Sequence, residues 1–156
     1  MRAKTDLVLE REIAVPADLV WRAWTEPEHL KPWFCPRPWQ VTDCVIELRP
    51  GGRFFFAMRG PKGETSSFDN CVLEVVPGKR LVWTTALSAG FRPKPPSEGV
   101  PDFTAVVEIE SLEPRKTRYR ATAMHRTMED AATHDRVGFS EGWGAALDQL
   151  VALLSR

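Results

Sequence analysis

The chain has 156 residues, with 21 basic and 21 acidic side chains and a formal net charge of zero. This balance lacks the basic stripe that nucleic-acid-binding proteins present to phosphates, so we expect no nucleic-acid partner. The length suits a single domain over residues 1–156, and no apolar run is long enough to cross a bilayer. Because the N-terminus has no signal-peptide core, we expect a soluble, cytoplasmic protein with no membrane partner.

The first third of the chain predicts one strand followed by two short helices. Residues 7–15 alternate apolar and charged side chains, which is typical of a strand. Val20 and Trp24 then share one face at helical spacing. Thr25, with Glu28 three residues later, predicts a capping box at the start of the second helix.

The middle of the chain predicts six further strands. Period-two alternation covers residues 41–48, 53–59, 68–76, 79–87, 103–110 and 117–126. Short turns rich in proline and glycine separate most of them, so consecutive hairpins are expected to build a mainly antiparallel sheet. Residues 88–101 contain too many prolines and glycines for regular structure. They predict a long loop that is either a functional lid or simply a disordered loop.

The last segment contains a literal G-x-S-x-G, which is also the signature of a serine-hydrolase nucleophile elbow. An elbow of this kind needs a preceding strand and a later histidine, and no histidine follows Ser140. The apolar residues instead repeat at helical spacing, in the stripe Phe139, Trp143, Ala146, Leu150 and Leu154. We therefore predict one long C-terminal helix, capped by Thr127, with Ser140 on its surface. Gly138, Gly142 and Gly144 weaken a helix, so they are expected where the sheet or a ligand comes close.

Four segments in order along the chain carry a family resemblance: Val15–Leu30, Pro50–Phe54, Leu73–Thr84 and Glu141–Trp143. Together they resemble the helix-grip (START-like, SRPBCC) superfamily, in the branch of activator of heat-shock-protein-90 ATPase homologues, whose bacterial members are often labelled polyketide-cyclase-like. The resemblance implies an α+β helix-grip fold, in which a curved antiparallel sheet of about seven strands wraps round the C-terminal helix. It also implies a cavity between sheet and helix that suits an apolar small molecule.

The candidate ligand-binding residues are those that this fold would turn toward the cavity. They are Trp33, Phe34, Phe54, Phe56, Met58, Phe103, Ala105, Tyr119, Ala121, Ala123, His125, Arg136, Phe139 and Trp143. The three alanines can leave space that larger side chains would fill, whereas bulky aromatic residues opposite them would close it. By the resemblance, Trp33 and Phe34 lie at the cavity mouth.

Tyr119, His125 and Arg136 are the polar members of this set and the candidate catalytic residues. Tyr119 and His125 share the inner face of one strand, and Arg136 lies close to two helical turns before Trp143. Each also has a structural interpretation. A histidine at a strand end can bond to the backbone, and an arginine near a helix end can reach solvent and pair with a carboxylate.

The other thiol and polar groups predict no metal or cofactor. Cys35, Cys44 and Cys71 have irregular spacing, unlike metal or redox motifs, so we expect buried free thiols. His134 and Glu141 lie away from the apolar stripe and are expected to face solvent or a partner. Carboxylate pairs, nucleophile–base pairs and phosphate-binding glycine loops are not evident at local spacing.

Three functions from different classes remain open. The favoured one is a small binding protein that holds an apolar or aromatic molecule. The second is a polyketide-cyclase-like enzyme that uses the polar candidates for metal-free, aldol-type cyclisation. The third is interaction through the outer sheet face, with a second copy to give a homodimer or with a chaperone whose ATPase it regulates. The chaperone role is not favoured, because the activators that name the family carry a further domain for which this length leaves no room.

Overall fold

A computed structural model of the protein describes residues 4–155. Its strands are β1 (Asp6–Ile13), β2 (Gln40–Ile46), β3 (Arg53–Arg59), β4 (Thr65–Val76), β5 (Arg80–Thr84), β6 (Leu87–Ser88), β7 (Arg92–Pro93), β8 (Phe103–Glu113) and β9 (Lys116–His125). Its helices are α1 (Ala17–Thr25), α2 (Pro27–Leu30), α3 (Met128–Arg136) and α4 (Phe139–Leu154). None of the helices in this part of the chain is both long enough and apolar enough to span a membrane.

One sheet holds seven of the strands, in the order β1-β9-β8-β5-β4-β3-β2. Every neighbouring pair in it is antiparallel. Register shifts interrupt the β2–β3, β4–β5 and β8–β9 pairs, and irregularities of this kind bend strands and increase the sheet's twist. The sheet curves round α4, and the predicted α+β helix-grip fold is confirmed.

The hydrophobic core lies between the inner face of the sheet and α4. Side chains alternate along each strand, so Tyr119 and Ala121 of β9 are buried while Arg120 between them is exposed. Leu147 and Leu150 of α4 join the same buried cluster. Burying a leucine side chain contributes about 1.5–3 kcal/mol, so this apolar face holds the helix against the sheet.

Charged side chains on the outer face pair across neighbouring strands. The Arg80 guanidinium binds Glu74 of β4 and Glu108 of β8, and Arg118 of β9 binds Glu12 of β1 and Glu110 of β8. These pairs are substantially exposed, so each contributes about 0–1 kcal/mol to stability. Their main consequence is to keep this face polar.

The two short helices form as predicted, but the predicted cap of the second is wrong. Val20 and Trp24 are buried on one face of α1. That helix extends through Thr25, whose hydroxyl therefore donates back to the Trp21 carbonyl at 2.8 Å. Glu26 occupies the N-cap of α2 without a side-chain bond, and Pro27 follows at the first helical position.

The prediction of a single long C-terminal helix is wrong, because two helices meet at Gly138. Thr127 caps the first of them as predicted, since its hydroxyl accepts from the Asp130 N–H at 3.1 Å. Gly138 has a left-handed backbone conformation, with φ of 106°, and it interrupts the helix between Arg136 and Phe139. A residue without a Cβ adopts this conformation at no steric cost, so α4 begins as a separate helix at Phe139.

The segment 88–101 is also more ordered than predicted. Leu87 and Ser88 pair with Arg92 and Pro93 in a two-stranded ladder, so Leu87 does not belong to the preceding strand. The Gly90 N–H donates to the Gly51 carbonyl at 2.7 Å. This bond fastens the ladder to the turn between β2 and β3.

Candidate functional site

A cavity of about 630 Å³ lies between the inner sheet face, the α1–α2 region and α4. Its walls are formed by Trp24, Trp33, Phe34, Cys35, Pro36, Trp39, Phe56, Met58, Ser66, Phe68, Trp83, Val100, Phe103, Tyr119, Val137, Gly142, Trp143 and Ala146. Among these lining residues none carries a charge. A cavity of this size and lining suits a small apolar ligand.

The wall nearest the short helices is a cluster of edge-to-face aromatic rings. The Trp24 ring lies 5.3 Å from that of Trp33 and 5.3 Å from that of Phe34, centroid to centroid. Phe34 continues to Phe56 of β3 at 4.9 Å. These separations and tilts are the ones that aromatic pairs favour, so the rings stabilise one another in this wall.

On the opposite side of the cavity, two parallel indole rings connect the sheet to α4. The rings of Trp83 and Trp143 are 6.5 Å apart with an interplanar angle of 4°. Phe103 of β8 meets Trp143 edge-on at 5.8 Å. Next to Trp143, a Cβ at Gly144 would lie 3.0 Å from Arg11 Nη2 of β1. Gly138, Gly142 and Gly144 were expected where the sheet or a ligand comes close; a side chain of β1 lies close at Gly144, whereas no atom of residues 4–155 lies within 4 Å of a Cβ at Gly138 or Gly142.

The polar groups of the cavity wall are few and uncharged. The Trp24 indole N–H donates to the Tyr119 hydroxyl at 3.2 Å. Burial raises the pKa of Tyr119 far above its ordinary value, and the bond from Trp24 opposes this only in part, so the phenol stays neutral. The Trp83 indole nitrogen is buried with no hydrogen-bond partner among residues 4–155.

The mouth of the cavity is an apolar rim drawn from three separate parts of the chain. Phe68 of β4, Val100 of the 88–101 segment and Val137 of the α3–α4 junction line the cavity and are 40%, 38% and 58% exposed. Monomeric proteins usually reserve clustered exposed apolar side chains for binding. The 88–101 segment thus contributes to the entrance.

Gln149 of α4 fixes the segment that carries Trp33 and Phe34. Its side-chain amide donates to the carbonyls of Trp33 at 3.0 Å and Cys35 at 2.9 Å.

Cys35, Cys44 and Cys71 are buried free thiols, as predicted. Burial raises the pKa of the Cys35 thiol and raises that of Cys44 to about 11.

The structure brings half of the predicted ligand-binding residues to the cavity. Those that line it are Trp33, Phe34, Phe56, Met58, Phe103, Tyr119 and Trp143. Five others are buried but do not line it: Phe54, Ala105, Ala121, Ala123 and Phe139. None of the three alanines lines the cavity, and Ala105 and Ala121 belong to the buried core cluster, so the open space lies elsewhere.

The three polar candidates are not assembled into one site. Tyr119 lines the cavity, but His125 does not, and its Nδ1 lies 2.9 Å from the Thr5 carbonyl oxygen. Arg136 is exposed and donates to the Thr133 hydroxyl at 3.1 Å. Because the helix ends at Arg136, its predicted position two turns from Trp143 does not exist.

His134 was expected to lie on the surface, facing solvent or a partner, and that prediction is wrong. It is 5% exposed, and its Nδ1 lies 2.8 Å from Nε2 of His125. Its ring packs 4.9 Å from that of Phe103 and 5.3 Å from that of Phe139. The helix break accounts for this placement, because α3 packs on β9 independently of the apolar stripe of α4.

Sequence reasoning missed several lining residues, among them Trp24, Phe68, Trp83 and Val137. Alternation alone was enough to find Trp83, since it falls on the same face of β5 as the fully buried Leu81. Val137 gave no signal, because it reaches the cavity only through the break between the helices.

Within residues 4–155 there is no group of three His, Cys, Asp or Glu side chains placed to hold a metal ion.

A curved antiparallel sheet that grips a C-terminal helix over an apolar cavity defines a helix-grip protein of the START-like class. The chain belongs to the family described as activator of Hsp90 ATPase homolog 1-like protein, whose model matches residues 14–155. No curated protein matches the chain.

Solved structures agree with this assignment. A protein from Nitrosomonas europaea is 46% identical with a TM-score of 0.90, over 98% of this chain and 96% of that one. One from Arthrobacter aurescens is 22% identical with a TM-score of 0.83, over 99% and 90% of the two chains. The AHSA1 protein from Silicibacter pomeroyi is 22% identical with a TM-score of 0.69, over 95% and 96%. The last two likenesses show the fold alone.

Proposed function

We propose that this chain is a small cytoplasmic binding protein that holds an apolar or aromatic molecule in the cavity between its sheet and α4. The observation that carries the proposal is the cavity of about 630 Å³, which is walled by aromatic rings and which no charged residue of the described chain lines. Sites for small organic ligands are concave, mostly apolar and usually preformed, and this one meets those three conditions.

The exposed rim supports the same conclusion. Val100 and Val137 stand at the mouth on two segments that follow different elements of the fold. An apolar entrance lowers the cost of passing an apolar molecule out of water, because its surface is covered before it reaches the interior. The ligand-binding role thus rests on the interior and the entrance together.

Gly142 gives a direct test, because it lines the cavity and a Cβ there would meet no atom within 4 Å. We expect Gly142→Leu to occupy part of the cavity and to weaken binding of a naphthalene-type probe by about tenfold or more, as judged by equilibrium dialysis. Gly142→Ala is the matched control, which strengthens the helix while leaving most of the volume free. Unchanged binding in Gly142→Leu would contradict the proposal.

The cyclase alternative receives no support from the geometry, because its three polar residues point to three different surroundings. Tyr119 lies in the cavity, His125 in the contact with His134, and Arg136 in solvent. The chaperone alternative has only the family's descriptive name behind it, and its test is stimulation of a chaperone ATPase by the purified protein. Association into a homodimer likewise stays a prediction.

A further inference from the structure

One polar group of the cavity wall is fully buried and makes no hydrogen bond within residues 4–155. Three tryptophans of this wall, Trp24, Trp33 and Trp83, are each about 2% exposed. The indole N–H of Trp24 donates to Tyr119 at 3.2 Å, and that of Trp33 donates to the Ala23 carbonyl at 3.2 Å. The N–H of Trp83 is equally buried but has no partner in the described chain.

An unpaired donor of this kind is costly, because it has lost its water without gaining an acceptor. Folded proteins pair nearly all such groups, so an exception beside a cavity leaves a place for an acceptor from outside the chain, either a water or a bound molecule. The indole of Trp83 lies among the rings of Phe54, Phe103 and Trp143, at 4.8, 5.7 and 6.5 Å. A ligand that reaches it is therefore surrounded by aromatic faces.

The other polar groups of the wall restrict the charge of that ligand. The Tyr119 hydroxyl accepts from Trp24, and within residues 4–155 its own hydrogen has no acceptor. The remaining hydroxyl is that of Ser66, and among residues 4–155 no lysine, arginine, aspartate or glutamate lines the cavity. An anion would lose its hydration here without a cation to replace it, and a cation would find no carboxylate.

Asn70 is the other side chain of the described residues with unpaired buried polar atoms, namely both ends of its amide. It lies on β4 opposite Phe54 but does not line the cavity. Among the buried side-chain atoms of residues 4–155 that make no hydrogen bond at all, only the Trp83 indole nitrogen belongs to a residue of the cavity wall.

We propose that the cavity takes an uncharged aromatic molecule carrying an acceptor oxygen, such as a ketone, ester or ether oxygen, that accepts from the Trp83 indole N–H. This rests on the proposed ligand-binding function and narrows it, because an apolar cavity alone would prefer a plain hydrocarbon. A ketone must shed water to enter, and only a hydrogen bond inside compensates for that loss.

Three probes of nearly the same shape test the proposal: 2-acetylnaphthalene, 2-isopropenylnaphthalene and 2-naphthoate. We expect the ketone to bind at least as tightly as its hydrocarbon isostere, and the carboxylate to bind at least about tenfold more weakly than the ketone. In Trp83→Phe, the affinity for the ketone is expected to fall about tenfold while that for the hydrocarbon changes less than about twofold.

Trp143→Phe is the matched control, because it trims the same ring in the parallel partner, which is only partly buried. It is expected to affect the ketone and the hydrocarbon equally. If Trp83→Phe does not fold, the infrared carbonyl stretch of 2-acetylnaphthalene bound to the unmodified protein tests the proposal instead. A hydrogen bond to the carbonyl lowers this frequency relative to that in hexane.

The outcomes separate the two claims. Equal losses for ketone and hydrocarbon in Trp83→Phe, tightest binding of the naphthoate, or a carbonyl stretch as in hexane would overturn the acceptor proposal and leave the binding function standing. Failure of all three probes to bind would overturn both.

Discussion

His134 Nδ1 lies 2.8 Å from His125 Nε2, and Nδ1 of His125 in turn lies 2.9 Å from the Thr5 carbonyl oxygen. With both rings neutral, His125 donates to Thr5 and His134 donates to His125, so the three groups form one chain of hydrogen bonds. This chain ties α3 to the end of β9 and to the start of β1. Protonation of both rings would remove the acceptor nitrogen between them and place two positive charges side by side.

The pair makes stability depend on pH in mildly acidic solution. The pKa of His134 is lowered from its ordinary 6.5 to about 4, first because burial penalises the charged ring and next because His125 repels that charge. Between these values the unfolded chain binds the proton and the folded one does not, so stability is lost as pH falls through this window. The expected loss is up to about 3 kcal/mol, measured by urea unfolding at pH 7 and pH 4.5.

His134→Gln should flatten that dependence, because an amide can still donate to His125 but does not titrate. His29→Gln is the control, since His29 is half exposed and lies beside Glu26 on the surface. If the stability difference between the unmodified protein and His134→Gln were the same at both pH values, the assignment to His134 would be wrong.

Tyr119 is the only tyrosine in the chain, so its ionisation can be followed directly. Burial raises its pKa above the ordinary 10.0, and the unfolded chain therefore releases this proton before the folded one does. Stability is full below pH 10 and falls as the pH rises above it. We expect tyrosinate absorbance near 295 nm to appear only together with loss of the circular dichroism of the fold. Independent titration near the ordinary pKa would contradict the buried position, and Tyr119→Phe provides the blank.

Asn70 is 1% exposed, and neither end of its amide has a partner among the described residues. An unpaired buried amide costs about 1–3 kcal/mol, so Asn70→Leu, of similar size, is expected to stabilise the fold by about 1–2 kcal/mol. Asn70→Asp is expected to destabilise it strongly, because it buries a charge. Thermal unfolding measures both changes. Destabilisation by leucine would instead indicate a buried water that bridges the amide.

Two glycines at the start of α4 are expected to respond in opposite ways to alanine. Gly138 has φ of 106°, which an L-residue adopts only with strain, so Gly138→Ala should cost about 1–2 kcal/mol. Gly142 has ordinary helical geometry and open space at its Cβ, so Gly142→Ala should stabilise by about 0.5–1 kcal/mol. Urea unfolding tests both variants: the midpoints are expected to move, while the dependence of the unfolding free energy on urea concentration stays unchanged. Equal effects at the two positions would contradict the helix break.

Local chemistry in the sequence was enough to predict most of the sheet. The strand at residues 53–59 was predicted residue for residue, because side chains alternate every two positions whatever surrounds them. The Thr127 cap was equally predictable, since its bond to the Asp130 N–H closes within a single turn. The family resemblance then supplied how the sheet and the C-terminal helix are arranged.

Helical spacing misplaced His134 and Arg136, because it assumes a helix that continues through Gly138. A glycine inside such a pattern is compatible with either continuation or a break. The contact of His134 with His125 on β9 accompanies the break, and partners so far apart in the chain leave no local signal.

The sequence by itself determined the α+β class, the antiparallel strands, the apolar face of the last helix and the aromatic character of the interior, because each depends on neighbours within a few residues. Only the tertiary structure decided where that interior stays open. Ala105 and Ala121 are small, and the core closes over them, whereas large rings such as Trp83 and Phe103 stand round a gap. Empty space depends on how surfaces from distant parts of the chain fit together, and residue size at one position does not specify that fit.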